Sequence, residues 1–196
     1  MSGLRARKRR ETRDALARAA RSLALEVGPA NVRVGDIADR AGVAPRTYNG
    51  YFSSREEAIC ALHADRADRI AAALRARPAD EGLHDALTQA LAAEFLGPEP
   101  DRVAYRLISG DPMLRGEFLK ALGTIEGPLA AAVSERLGTA EDHGLAAAAV
   151  AAAAVGAARA ALVHWLDQRG DEPFADVAVR ALAALRFAPH DDPGAR

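Results

Sequence analysis

A single cysteine, Cys60, excludes an intrachain disulfide framework, and no apolar segment with a cleavage site follows the start, so the expected compartment is the cytoplasm. Aromatic residues make up only 5% of the chain, whereas apolar residues make up 49% and alanine is abundant. That scarcity argues against a β-sandwich and for closely packed helices. Strand-like alternation and repeats of fixed period are both missing. Long runs of large apolar residues are missing as well, with one ambiguous segment: Leu145 to Val163 holds 12 alanines in 19 residues. Alanine gains little from lipid and Arg159 lies inside the run, so the segment reads as a helix that packs at short interhelical distance, and no membrane partner is expected. The fold class expected is all-α, with about nine helices. The 196 residues suffice for a small domain of about 50 residues joined to a larger one of about 140.

Overall charge is nearly balanced, at −1, but its distribution is not. Residues 1–52 carry eleven Lys/Arg against five acids, a balance of +6, and the remaining 144 residues carry 15 basic against 22 acidic groups, a balance of −7. A basic head on an acidic body points to a polyanion partner for the head alone, because phosphate contacts are made by Lys and Arg. A solvated basic helix would carry the same charge.

Periodicity predicts a first helix from about Lys8 to Val27, where Leu16, Ala20, Leu23 and Val27 share a face and Gly28-Pro29 ends it. Val34, Ile37, Ala38 and Ala41 mark a second helix, stopped by Gly42, and Pro45 opens a brief third one reaching about Tyr51. In Ser53-Ser54-Arg55-Glu56-Glu57 either serine has a glutamate three residues on, so two overlapping capping boxes are possible before a long helix to about Arg77. Pro78 closes that helix. Further helices are expected near 80–96, 101–110, 112–122, 125–138, 143–168 and 172–187, separated at Gly97-Pro98, Asp111-Pro112, Gly123, Gly138 and Gly170. Residues 189–196 read as a disordered tail.

The most informative segment is Ile37-Ala38-x3-Gly42-Val43-x4-Tyr48-x2-Tyr51. A helix-turn-helix needs a small residue where its helices cross, here Ala38, and a glycine in the tight turn, here Gly42. Apolar residues such as Ile37, Val43 and Tyr48 then fix the interhelical angle. A helical hairpin in an ordinary bundle could share this spacing.

Extended in both directions, the run Val34-x2-Ile37-Ala38-x2-Ala41-Gly42-Val43-x3-Thr47-Tyr48-x2-Tyr51-Phe52-x-Ser54-Arg55-Glu56-Glu57-Ala58 resembles the TetR family signature. The segment Arg106-Leu107-Ile108-x3-Pro112-x-Leu114-Arg115 and the late Trp165-Leu166 resemble the C-terminal domain of an actinobacterial branch described as acyl-CoA-like ligand binding, which includes mycofactocin-type regulators. The resemblance implies a helix-turn-helix DNA-binding domain over 1–53, a helical ligand-binding and dimerisation domain over 54–188, and no cofactor or metal. It makes Pro45 to Tyr51 a recognition helix in the major groove of double-stranded operator DNA. Arg46 and Asn49 have the chemistry for guanine and adenine edges. Thr47, Tyr51 and Arg55 match positions that touch phosphates. Arg33 stands where the family often has a phosphate-contacting Thr, and Gly50 sits in the reading helix without a side chain. Arg7 belongs to a basic run, Arg5 to Arg10, expected to form a flexible arm reaching backbone or minor groove.

The same resemblance places a homodimer contact on the last two helices and a small-molecule effector, an acyl-CoA or similar hydrophobic ligand, among Leu91, Phe95, Tyr105, Ile108, Met113, Phe118, Leu122 and Trp165. Each of those residues would equally serve as plain core. Arg102, Arg106, Arg115 and Lys120 are the cations available for ligand phosphates, or form an ordinary solvated face. The expected mechanism is repression relieved by effector binding, with the Ser54 to Arg77 helix as lever.

Two other classes compete with this reading. Cys60, His63 and Asp65 suggest a metal or nucleophile pair, yet two ligands do not complete a zinc site and the other histidines are scattered. No G-x-S-x-G or phosphate-cradling loop occurs, so an enzyme is not expected. A helical acyl-CoA-binding protein without DNA activity would not need the +6 head.

Overall fold

The computed structural model describes residues 2–61, 65–95, 102–138, 143–168 and 172–185. All regular structure among them is helical. In chain order the helices are α1 (Ser2–Val27), a 3-10 turn (Pro29–Asn31), α2 (Val34–Arg40), α3 (Pro45–Tyr48), α4 (Arg55–Cys60), α5 (Arg66–Arg75), α6 (Leu83–Phe95), α7 (Arg102–Gly110), α8 (Pro112–Leu137), α9 (His143–Asp167) and α10 (Phe174–Ala183). The chain divides into two compact units, Met1–Arg69 with Pro100–Ile125, and Ile70–Glu99 with Glu126–Arg196. The expected 53/54 boundary falls inside the first unit, and α5 and α8 each contribute residues to both. The tail over 189–196 lies outside the described residues.

In the first unit α1 packs on α2, α4 and α7, and α2 packs on α3. Leu16, Ala20 and Leu23 of α1 are buried with Ile37, Ala38, Tyr48, Phe52 and Ile59. Burial of this kind stabilises by about 25 cal/mol per Å² of apolar surface. α1 ends because Gly28 adopts φ +81°, and Gly28 N–H donates to the Ala24 carbonyl at 3.1 Å. α2 ends in a Schellman motif around Gly42, at φ +70°: Val43 N–H donates to the Ala38 carbonyl at 3.0 Å and Gly42 N–H to that of Asp39 at 3.1 Å. The glycine in the expected turn is thus required by its backbone angle.

Four expectations about elements need correction. The Arg5 to Arg10 run is not a flexible arm but part of α1, which starts at Ser2. Arginine and alanine are strong helix formers, and the Arg7–Glu11 pair at 3.3 Å has the helix-supporting i,i+4 spacing. α3 stops at Tyr48, short of Tyr51. The lever from Ser54 to Arg77 is not one helix: α4 ends at Cys60, Ala61 is extended at φ −59°, ψ 131°, and α5 begins at Arg66. A continuing helix would pair the Ala61 carbonyl with the N–H four residues on. Here the Arg21 guanidinium of α1 donates to it instead, at 2.5 Å. Gly123, in turn, breaks nothing, and α8 runs unbroken from Pro112 through Gly123 and Pro128. Ile125, Leu129, Ala132 and Val133 form one buried face of α8. That burial outweighs about 1 kcal/mol for an interior glycine and about 3 for the proline.

In the second unit α10 packs on α9 and α6. In α9 the small Ala147, Ala151, Ala154 and Ala161 are buried, and Val155, Leu162, Trp165 and Leu166 are the larger buried residues. Over Gly144–Asp167 it is long and apolar enough to cross a membrane by length and composition, with mean hydropathy 1.8 in its most apolar window, a third of which is buried within the chain. Arg75 pairs bidentately with Glu135 at 2.6 and 2.7 Å, and Arg136 donates to the carbonyls of Pro78 and Glu81, both at 2.5 Å.

Candidate nucleic-acid interface

The reading head is assembled by side chains that hold backbone in place. Ser54 caps α4: its hydroxyl accepts from Glu57 N–H at 3.0 Å. The Glu57 carboxylate accepts from the N–H of Ser53 at 2.7 Å and from its hydroxyl at 2.8 Å. Of the two possible capping boxes, the structure therefore uses Ser54 as cap and Ser53 as the recipient of the returning glutamate. The buried Tyr48 hydroxyl donates to the Ser54 carbonyl at 2.7 Å, which ties α3 to the start of α4. Burial, with Glu57 and Glu56 nearby, raises the pKa of that phenol well above its ordinary value, so it remains a donor. The Tyr48 and Phe52 rings lie 5.8 Å apart, and the Arg13 guanidinium sits 4.9 Å from the Phe52 centroid.

This frame leaves Arg46, Asn49 and Gly50 exposed at the short α3 and the turn after it. Arg46 and Asn49 are three residues apart and so lie on one side of the helical turn. A Cβ added at Gly50 would meet only the Thr47 carbonyl oxygen at 3.4 Å, so the position is open to approach. Thr47 and Tyr51 instead turn toward α1. Together with Arg5, Lys8, Arg9 and Thr12 they line an open cleft of about 600 Å³. Arg9 Nη2 donates to the Gly50 carbonyl at 3.3 Å and its guanidinium lies 5.4 Å from the Tyr51 ring centroid.

Three other residues expected at DNA stand differently. Arg7 is paired with Glu11 and does not line the cleft. Arg33 is exposed at the N-cap of α2 and makes no side-chain cap bond there. Arg55 spends its guanidinium on protein, donating to the carbonyls of Ala30 at 2.8 Å and Val32 at 3.1 Å and to Glu56 at 2.7 Å. Arg5, Lys8 and Arg9 belong to the basic run expected to reach DNA, whereas Thr12 is not among the expected site residues. Their spacing of three, four and seven positions, which sets them on one helical face, was the available signal.

The residues expected around an effector divide between the units. In the first, Ile108 and Phe118 are buried, Tyr105 and Leu122 are half-buried, and the Tyr105 ring meets Phe118 edge-on at 5.5 Å. Met113 is 68% exposed and so is no part of that interior. Asp111 accepts from its N–H at 2.8 Å, which starts α8 at the surface. In the second unit Leu91 and Trp165 are buried, and Trp165 Nε1 donates to the Glu172 carbonyl at 2.9 Å. The Phe95 side chain lies outside the described residues. Of the cations considered for ligand phosphates, Arg115 donates to the Ser109 carbonyl and Lys120 pairs with Glu117 at 2.6 Å.

Cys60 is buried and donates through Sγ to the Leu114 carbonyl at 3.1 Å. Burial pushes its thiol up to about 12. His63 lies outside the described residues. Among those described, no three His, Cys, Asp or Glu residues are grouped as a metal would need.

Residues 16–59 match the family of bacterial regulatory proteins called tetR, and residues 77–188 match the MftR C-terminal domain. The chain is 35% identical over 147 residues to the HTH-type transcriptional regulator TcmR of Streptomyces glaucescens, a match covering 69% of this chain and 65% of that relative. Similar solved structures include a TetR-family regulator of Streptomyces coelicolor A3, 24% identical with a TM-score of 0.49, over 89% of this chain and 92% of that one. FadR of Thermus thermophilus, solved in complex with lauroyl-CoA, is 17% identical with a TM-score of 0.49, over 90% of this chain and 97% of that one. With the MftR-type match alone spanning more than half of the residues, the chain belongs to the TetR family of bacterial regulators and carries an MftR C-terminal domain.

Proposed function

We propose that this protein is a homodimeric transcriptional repressor of the cytoplasm that binds palindromic double-stranded operator DNA and is released by a small apolar effector, an acyl-CoA or similar ligand. The observation that carries the DNA reading is the exposure of Arg46 on a short helix and of Asn49 at its C-cap, a segment fixed from both ends, at Gly42 and at the Tyr48–Ser54 bond. Arginine and asparagine are the side chains that pair bidentately with guanine and adenine in the major groove. The relative TcmR is itself named an HTH-type transcriptional regulator.

Reading a palindrome requires two such heads about one helical turn of DNA apart, roughly 34–36 Å. The face of α9 that the chain leaves uncovered, with Leu145 at 76% and Val163 at 50% exposure, is the surface we assign to the second subunit. Covering it with an identical alanine-rich helix also accounts for an apolar helix that no membrane need surround. An effector that favours the form with wrongly spaced heads must lower DNA affinity by the factor by which DNA lowers effector affinity.

The test is fluorescence anisotropy with the intergenic DNA upstream of the protein's own gene, titrated with saturated acyl-CoAs of increasing chain length. Salt-sensitive binding that an acyl-CoA reverses is the expected outcome. Equal affinity for that DNA and for random duplex, repeated with fragments selected from the whole genome, would remove the DNA reading.

A further inference from the structure

We propose that Arg21 of α1 is the receptor for an oxyanion carried by the apolar effector, and that it links effector binding to the end of α4. This rests on the effector reading above and names the chemistry that the effector carries beside its apolar part.

A charged group taken out of water ordinarily has a partner of opposite charge, because an unpaired buried charge is costly. Arg21 is half-buried, and burial is the largest influence on its pKa, which it lowers. Among the described residues, however, no carboxylate lies within ion-pair distance of it. Asp14 and Arg18, on the same helix, act on it only from a distance and with opposite sign. A guanidinium has five donors, and the protein partner of this one is the Ala61 carbonyl, reached by Nη1 at 2.5 Å. Its spare nitrogens are not sealed from solvent.

The surroundings supply the rest of an anion receptor. α1 packs on α7, which brings the Tyr105 phenol close enough to act on the Arg21 charge. The Tyr105 hydroxyl has no hydrogen-bond partner among the described residues. Its ring meets Phe118 edge-on at 5.5 Å, with Ile108 buried and Leu122 half-buried in the same unit. Spare donors beside an apolar wall match a molecule with an anionic group and a hydrocarbon body. The carboxylate of a free acid and a phosphate of a CoA thioester share that chemistry.

The guanidinium that would hold the anion also holds the carbonyl just beyond the end of α4. Cys60, the last residue of α4, donates to the Leu114 carbonyl of α8, one turn before Phe118. The start of α4 is tied to the reading turn through Ser54 and Tyr48. A charge-assisted bond to an oxyanion is about twice as strong as one to a neutral carbonyl. A bound oxyanion therefore draws Arg21 from Ala61 and frees the end of the helix whose start carries the reading turn.

Decanoate, decanol and decanoyl-CoA, with their shorter and longer homologues, serve as probes. Calorimetry on the DNA-free chain reads binding, and anisotropy reads release of a duplex that the wild type selects. An anionic probe is expected to bind about tenfold or more tighter than the alcohol of equal length. Arg21→Gln is expected to erase that preference and leave alcohol binding unchanged, whereas Arg18→Gln, at an exposed position of the same helix, keeps it. Arg21→Lys retains the charge but not the fork, so it is expected to keep only part of the preference, and it decides the matter if circular dichroism shows Arg21→Gln unfolded. A preference for the acid identifies a carboxylate, and one for the thioester alone identifies a phosphate. Equal binding of acid, alcohol and thioester, or a wild-type preference in the folded Arg21 variants, overturns the anion receptor and leaves the apolar effector standing. Release of the duplex undiminished in those variants overturns the link to α4. Failure of every probe to bind at any length overturns the effector reading and this inference with it.

Discussion

The helix-turn-helix region and the α9–α10 pair of the second unit are both helical and both alanine-bearing, yet they are held by different forces. Around the reading head, backbone carbonyls are taken by side chains, three of them from distant sequence: Arg21 on Ala61, Arg55 on Ala30 and Val32, and Arg9 on Gly50, with Tyr48 on the nearby Ser54. Helices α2, α3 and α4 are short, so many chain ends need partners, and guanidinium groups with their several donors supply them. In the second unit α9 and α10 pack on each other, and they bury Ala154, Ala161 and Ala178 as well as the large Trp165, Phe174 and Leu182. The Trp165 and Phe174 rings lie 5.5 Å apart. The first arrangement fixes the direction of exposed side chains, as sequence reading requires. The second fixes only a distance of approach, which suits surfaces that bind apolar partners.

If this contrast is right, the largest stability loss belongs to a packing anchor of the second unit. Trp165→Ala should cost about 3–5 kcal/mol, since it removes a nearly fully buried ring and orphans the Glu172 carbonyl. Urea unfolding followed by circular dichroism measures it, and a cost under about 1 kcal/mol would break the comparison. In the head, the critical element is a backbone angle. Gly42→Ala should cost about 1–2 kcal/mol from the positive φ alone, because a Cβ there meets no atom within 4 Å. A loss as large as that of Trp165→Ala would show the turn to be packed, not merely bent.

A smaller effect follows from Cys60. Its thiol titrates at about 12 in the folded chain against about 8.5 unfolded. The folded state thus keeps the proton longer. The stability this contributes is complete below about pH 8.5 and disappears as pH rises toward 12. The fall of the urea midpoint over that window should be shallower in Cys60→Ala than in the wild type. The native thiol should also resist disulfide reagents at pH 8. Smallest of all, breaking the exposed Arg40–Glu26 pair, 2.5 Å long, with Arg40→Ala should change stability by under about 1 kcal/mol.

The sequence is most legible where local rules decide. Gly28, Gly42 and the Ser54–Glu57 box mark helix ends because backbone angles and caps are properties of a few adjacent residues. The exposure of Arg46 and Asn49 follows from a short polar segment after a glycine turn, which leaves its side chains in solvent. What escaped depends on contacts between distant residues. The break after Cys60 has no glycine or proline to announce it and depends on Arg21, forty positions earlier. The persistence of α8 through Pro128 depends on the burial of Ile125, Leu129 and Val133, which no local propensity reports. The bonds that Arg55 makes to the carbonyls of Ala30 and Val32 likewise join residues more than twenty positions apart. So does the bond from Arg9, a residue of the basic run, to the Gly50 carbonyl.

The central claim is that exposed side chains of α3 read base sequence while the surrounding frame carries stability. Arg46→Ala/Asn49→Ala, measured on a selected duplex and on random DNA beside its urea unfolding curve, tests this most directly. The account predicts a loss of about 1–3 kcal/mol in discrimination for each removed base contact, with stability within about 0.5 kcal/mol of the wild type. Discrimination equal to that of the wild type, in a protein of unaltered stability, would contradict it.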